Sequence, residues 1–193
     1  YLATTGVGSR IAGRQIAMSN IRDGDILLIS GTAGDHGAAV MLAREEFGLR
    51  GDLKSDSACV LPLTESMMQF DGLRFMRDPT RGGVASVAHE LARGTGYGIR
   101  LEPDIPVSGA VQSVCDILGY DPLYLACEGR VVAVVDPDEA DAALAAWQAT
   151  ESGRNASRIG RIDAGIDRVI LETSLGGERF LEELEDDPLP RIC

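Results

Sequence analysis

A cysteine, Cys193, stands as the last residue of the chain, reached through Leu189-Pro190-Arg191-Ile192 after an acidic stretch. A thiol on a final residue has nothing beyond it to pack and is free to swing. As thiolate it is both nucleophile and leaving group. The plain alternative is a frayed end that finishes in Cys, and the tail alone leaves both open. Upstream, Ser30-Gly31-Thr32-Ala33-Gly34-Asp35-His36-Gly37 joins an apolar run to a helix pattern. Such loops aim backbone N–H groups and a helix N-terminus at anions, though the glycines also suit a bare tight turn. The pattern is neither a P-loop nor G-x-G-x-x-G. Asp35 and His36 at its mouth are placed to bind a metal-bound phosphate or to move a proton. A second stretch, Arg77-Asp78-Pro79-Thr80-Arg81-Gly82-Gly83, precedes a helix start. Arg gives paired hydrogen bonds to phosphate or carboxylate, and Gly lets backbone come close. An Arg-Asp surface pair before a helix capped by Asp78 or Thr80 is the simpler reading. Glu128 sits in a turn between Cys127 and Gly129. It is a plain turn acid or, if partly buried beside a pocket, a carboxyl of raised pKa that serves as base.

The rest of the composition narrows the class. The 193 residues are 45% apolar and 25% charged with 23 Gly, enough for one good core. No run approaches the roughly 18 apolar residues of a membrane span, and no signal peptide opens the chain. The net charge of −12 argues against non-specific nucleic-acid binding. Cys59, Cys115, Cys127 and Cys193 form no C-x-x-C pair, and His36 and His89 form no H-E-x-x-H, so no metal site is read into these residues. A reducing, cytoplasmic setting fits. The first residue is Tyr1, and the expectation is that the chain is cut from a longer protein.

The elements that must position these groups follow from periodicity. Residues 1–7 read as a strand and 9–20 as a linker. Residues 25–30 read as a strand buried on both faces. A helix over 38–47 puts Val40, Ala43 and Phe47 on one face, with Gly48 as stop. An apolar segment over 57–63 leads into a short helix ending near Gly72. Val84, Val87, Ala88 and Leu91 recur at helical spacing with Gly94 as stop. Residues 98–102 form a strand. Ser108 caps a helix with Val111, Val114, Cys115 and Leu118 inward and Gly119 at its end. Residues 123–126 and 130–135 read as strands around Cys127-Glu128-Gly129. A helix starts at Asp136-Pro137-Asp138-Glu139, with Ala140, Ala143, Leu144 and Trp147 inward. Residues 158–162 and 167–173 make a last strand pair, and 178–187 is helix-like. The fold class is α+β: a mixed sheet covered by helices in layers.

The glycine loop, the Arg-Asp-Pro-Thr-Arg-Gly-Gly stretch, Pro122-Leu123-Tyr124-Leu125-Ala126-Cys127-Glu128-Gly129 and the closing Pro190-Arg191-Ile192-Cys193 occur in that order. Together they resemble the C-terminal part of the HypE family of carbamoyl dehydratases of nickel–iron hydrogenase maturation. The wider superfamily includes aminoimidazole ribonucleotide synthetase (PurM), selenophosphate synthetase and thiamine-monophosphate kinase. The resemblance implies residues 1–24 as the end of an absent N-terminal ATP-binding domain plus linker, 25–177 as a PurM C-terminal-like domain, and 178–193 as a helix and flexible tail. It implies ATP and Mg2+, held mostly by the absent domain, so that this chain alone is inactive. It implies that HypF loads a carbamoyl group onto Cys193 and that the tail folds inward. ATP then drives dehydration to a thiocyanate, and the cyano group passes to iron on a HypC–HypD scaffold. Cys193 and Glu128 are the catalytic residues on this reading. Gly31, Gly34, Asp35, His36, Arg77, Asp78, Thr80, Arg81, Gly82 and Gly83 bind nucleotide phosphate. Pro190 and Arg191, with Pro188, stiffen and place the tail. A homodimer is implied for the full-length protein, and the fragment is left free to be monomeric. The family leads one to expect Asn where this chain has Cys127, a thiol that could compete as nucleophile or pair with Cys193. The rival functions are another ATP-using superfamily enzyme acting on a free small molecule and a non-catalytic docking or carrier module.

Overall fold

The computed structural model describes residues 3, 5–9, 13, 15–44 and 53–184. Its centre is a seven-stranded sheet: β1 (Ile26–Ile29), β2 (Leu73–Arg77), β3 (Gly98–Leu101), β4 (Val132–Val135), β5 (Ser157–Asp163), β6 (Val169–Glu172) and β7 (Glu178–Phe180). The spatial order is β2-β4-β1-β5-β3-β6-β7. Neighbours are antiparallel except β3 and β6, which run parallel. The α+β, mixed-sheet expectation holds.

β1 and β4 lie inside the sheet, and all four residues of each are buried. Successive side chains point to opposite faces, which is why these strands read as unbroken apolar runs. Leu27 and Ile29 enter one cluster with Val132 and Val134. Ile26 and Leu28 enter another with Ala133 and Val135. The first face is covered by α3 (Gly83–Thr95) through Val84, Val87, Ala88 and Leu91. The second is covered by α2 (Leu61–Met67) and α5 (Ala140–Gln148), joined where Trp147 Nε1 donates to the Leu63 carbonyl at 2.9 Å. A third cluster unites α1 (Asp35–Ala43) and α4 (Gly109–Leu118) through Ala38, Met41, Val111, Val114, Cys115 and Leu125. Cys115 is therefore a core thiol, pushed up to about 11 by burial.

Several expected boundaries move. α1 starts at Asp35, its buried face is Gly37, Ala38 and Met41, and Phe47 and Gly48 lie outside the described residues. Residues 57–60 are irregular, with 57–59 exposed; the helix begins at Leu61, inside the expected apolar segment, with Pro62 in its first turn, and ends at Met67 rather than near Gly72. α3 runs past Gly94 and ends at Gly96. Residues 123–126 are not a strand: Pro122, which lacks an N–H, opens a 3-10 turn over Pro122–Tyr124. Asp136 opens a turn, accepting the Asp138 N–H at 3.0 Å, and α5 follows at Ala140. β5 and β6 are not paired with each other, because β3 lies between them. The acidic stretch begins as strand, not helix. Gly176 takes φ 80° in a turn whose Gly177 N–H meets Thr173 Oγ1 at 3.0 Å, returning β7 onto β6. The linker's end is packed rather than loose: Ala17 N–H donates to the Arg74 carbonyl at 2.9 Å and Met18 rests on the α3 core. Ala3 and residues 5–9 form no strand. Ser108 caps α4 as read, its Oγ accepting the Val111 N–H at 3.3 Å, with Gly119 as stop.

The start of α3 is tightly packed. Gly83 has φ 60°, and a Cβ there would stand 2.5 Å from the carbonyl oxygens of both Leu123 and Leu125. Gly109, at the start of α4, faces open space. Gly83→Ala is expected to lower unfolding stability by about 2–4 kcal/mol, from left-handed strain and overpacking together. Gly109→Ala should stay within about 1 kcal/mol of the parent. Denaturant titration of both variants checks the contrast.

Candidate functional site

Strand register brings the motifs to one end of the sheet. Ile29 and Arg77 both lie opposite Val132. Beyond them the Ser30 N–H donates to the Val131 carbonyl at 3.0 Å, and the Val131 N–H donates to Ser30 Oγ at 2.9 Å. The glycine loop, the end of β2 and the chain entering β4 thus share one rim.

At that rim the segment 122–129 runs between the two glycine motifs. On one side, Gly34 takes φ 82° and donates its N–H to Cys127 Sγ at 3.2 Å, and the Gly37 N–H meets the Ala126 carbonyl at 3.0 Å. A Cβ on Gly34 would lie 3.0 Å from the Pro122 carbonyl oxygen. On the other side, the Cys127 N–H donates to the Pro79 carbonyl at 3.0 Å, and Gly83 abuts the carbonyls of Leu123 and Leu125. Several loop N–H groups offered for phosphate therefore already have protein partners; that of Ala33 meets the Pro106 carbonyl at 2.8 Å.

The charged groups cluster beside this segment. Asp35, 7% exposed, accepts hydrogen bonds from Thr32 Oγ1 and, at 3.0 Å, from Ser108 Oγ. His36 Nδ1 shares a hydrogen bond with Ser55 Oγ at 2.8 Å. Arg130 lies across Gly31, where a Cβ would meet its side chain at 2.8 Å. Its Nε contacts the Thr32 carbonyl at 3.3 Å and Asp56 Oδ2 at 3.4 Å, and its Nη2 stands 3.9 Å from Asp35. Asp56 Oδ1 accepts the Glu128 N–H at 3.0 Å, while Oδ2 is buried without a hydrogen-bond partner. Burial raises the Asp56 pKa, opposed by that N–H and by the Arg130 charge. Asp56 and Arg130 were missed in the sequence. Asp56 sits in a polar stretch with no periodicity, and Arg130 reads as the first residue of a strand.

Other assigned residues fall into place differently. Glu128 is exposed rather than half-buried; it is fixed through its backbone by Asp56. Cys127 is fully buried and pushed up to about 12 by burial, so it stands as a neutral thiol inside the fold. It offers little thiolate to compete with a nucleophile. Neither Asp78 nor Thr80 caps α3; Gly82, at φ 70°, is the cap residue. The Thr80 carbonyl accepts the Gly83 N–H at 3.1 Å, and Asp78 and Arg81 are exposed. Arg77 pairs with Glu90. Pro190, Arg191 and Cys193 lie outside the described residues. Among the described residues no three His, Cys, Asp or Glu side chains could together hold a metal ion, and no helix is long and apolar enough to cross a membrane. The arrangement is a rim bearing an exposed carboxylate, a protected Asp35–Thr32–Ser108 network and the Arg130 guanidinium held by Thr32, Ser152 and Asp56.

Comparison with known proteins agrees with this geometry. Residues 22–172 match the family "AIR synthase related protein, C-terminal domain". The carbamoyl dehydratase HypE of Bradyrhizobium diazoefficiens is 42% identical over 197 residues, covering 100% of this chain and 57% of that protein. The chain thus spans little more than half the length of such relatives. A crystal structure of a HypE–HypF complex superposes with TM-score 0.83 at 40% identity, covering 87% of this chain and 55% of that one. A hydrogenase maturation protein HypE in complex with ATP gives TM-score 0.82 at 35% identity, covering 89% and 54%. The chain belongs to the AIR synthase related protein family, of which it carries the C-terminal domain.

Proposed function

We propose that the chain is the C-terminal part of an ATP-dependent carbamoyl dehydratase serving nickel–iron hydrogenase maturation, with its own Cys193 as substrate carrier. The observation that carries this reading is the convergence of the glycine loop, the Arg-Asp-Pro-Thr-Arg-Gly-Gly stretch and Glu128 on one rim. The relatives named carbamoyl dehydratase HypE match across the whole chain. The likeness to HypE structures with ATP and with HypF supports ATP as co-substrate and a HypF-type carbamoyltransferase as partner.

HypF loads a carbamoyl group onto the Cys193 thiol. The γ-phosphoryl of ATP moves to the carbamoyl oxygen and ADP leaves. Rupture of that carbon–oxygen bond releases phosphate. Loss of both nitrogen protons, one to Glu128 and one to the departing phosphate, leaves a sulfur-bound nitrile; its transfer to iron as cyanide returns Cys193 as thiolate and takes two electrons from a reductant on the HypC–HypD scaffold. Glu128 takes a proton from the nitrogen, the task of a general base. Asp56 holds the Glu128 backbone, and Arg130 and Arg77 supply cationic charge for the phosphoryl group. Pro188, Pro190 and Arg191 place the tail. Mg2+ belongs with the ATP on the part of the enzyme outside this chain, which also supplies the dimer contact in the cytoplasm. Residues 1–193 alone are accordingly expected to show no ATP hydrolysis above a blank.

In the full-length enzyme, Cys193→Ala is expected to abolish ATP turnover that depends on carbamoyl phosphate and HypF. An enzyme acting on a free small molecule would keep its turnover, and a docking module would show none in either form. Glu128→Gln should slow dehydration by roughly 10²–10⁴-fold, with carbamoylated Cys193 accumulating in intact-mass spectra. Dehydration at the parent rate would remove Glu128 from the mechanism.

A further inference from the structure

Past β7 the chain is gripped in a way that the sheet does not require. Leu181 is 2% exposed in the α3 core, and its N–H meets the Val169 carbonyl at 3.1 Å. Its own carbonyl accepts from His89 Nε2 of α3 at 2.9 Å. A carbonyl only accepts, so Nε2 carries the proton. The next carbonyl, of Glu182, accepts from the Tyr124 hydroxyl at 2.6 Å. Arg93 then meets both carboxylate oxygens of Glu183, at 2.5 and 2.7 Å. That exposed ion pair contributes little. The two side-chain donors act on consecutive main-chain carbonyls, so they hold backbone whatever side chains stand at 181 and 182.

One of those donors is part of the site's own rim. Tyr124 ends the 3-10 turn that leads into Cys127 and Glu128, and four residues of chain span no more than about 14 Å. From Glu182 to Cys193 the chain has eleven residues, which reach at most about 40 Å. The arm therefore departs within roughly 25 Å of Glu128, counting the Tyr124 side chain, with length enough to return to it.

We infer that Tyr124 and His89 are positioning residues for the tail: they anchor its stem to the rim and so raise the effective concentration of Cys193 at Glu128. This rests on the tail-as-substrate reading above. Tethering sets effective concentration through the origin and length of the arm. Losing the anchors slows the tethered reaction and leaves the site itself intact.

The test compares reaction in cis and in trans in the full-length enzyme. In cis, the rate is that of dehydration of carbamoylated Cys193. In trans, a Cys193→Ala enzyme acts on a free S-carbamoylated Pro-Leu-Pro-Arg-Ile-Cys peptide. Tyr124→Phe with His89→Leu is expected to lower the cis rate about twofold, as the free arm lengthens from eleven residues to about sixteen, while with His89→Leu alone, outside the rim, the trans rate stays at its parent value. His89→Gln, which retains a donor, should recover part of the loss. An unchanged cis rate, or equal loss in cis and trans, overturns the anchor. Tyr124→Phe alone, which keeps the ring, guards against misfolding as a cause. A parent enzyme whose Cys193 is never dehydrated sinks the underlying reading, and the anchor with it.

Discussion

One stretch of backbone, residues 122–129, must lie between two glycine motifs with no room for a methyl group at Gly83 and little at Gly34. Close packing converts that fit into position. Interiors this dense do not deform smoothly, so the loop after β1, the stretch after β2 and the turn before β4 are set as a unit. The hydrogen bonds that seal it run through the main chain of Ala126 and Cys127 and the buried Cys127 sulfur. Glu128, next in sequence, inherits a fixed backbone and an exposed side chain.

The charges follow from the same constraint. Asp56 is brought under the turn to satisfy the Glu128 N–H, and burial raises its pKa while Arg130 opposes the rise. A carboxylate so placed costs desolvation unless a cation stands near, and Arg130 is that cation at 3.4 Å. Its hydrogen bonds to Thr32 and Ser152, at 3.3 to 3.5 Å, are long. Within the proposed reaction this leaves its guanidinium able to turn toward an incoming phosphoryl group.

What could be read from residues alone depended on whether the signal was local. The doubly buried strands over Ile26–Ile29 and Val132–Val135 show as unbroken apolar runs because both faces are covered. The amphipathic pattern of α3 and the Ser108 cap of α4 are equally local and equally legible. The 3-10 turn at Pro122 reads as strand in the sequence because its residues are apolar, yet they pack against α3 and α1 rather than into the sheet. The hairpin to β7 reads as helix in the sequence because its acidic residues outweigh the Gly176-Gly177 turn. Within the site, the glycine and arginine motifs announced themselves. Asp56 and Arg130 did not, because their role arises from contacts between residues more than seventy positions apart.

The claim that joins these observations is that the rim exists to act on the chain's own terminal sulfur. The most direct measurement is mass spectrometry of the C-terminal peptide after the full-length enzyme is incubated with HypF, carbamoyl phosphate and ATP. The account predicts a carbamoylated Cys193 that loses the mass of one water when ATP is present and retains it when ATP is withheld. A carbamoyl group that persists unchanged beside hydrolysed ATP, or a Cys193 that never acquires one, would contradict it.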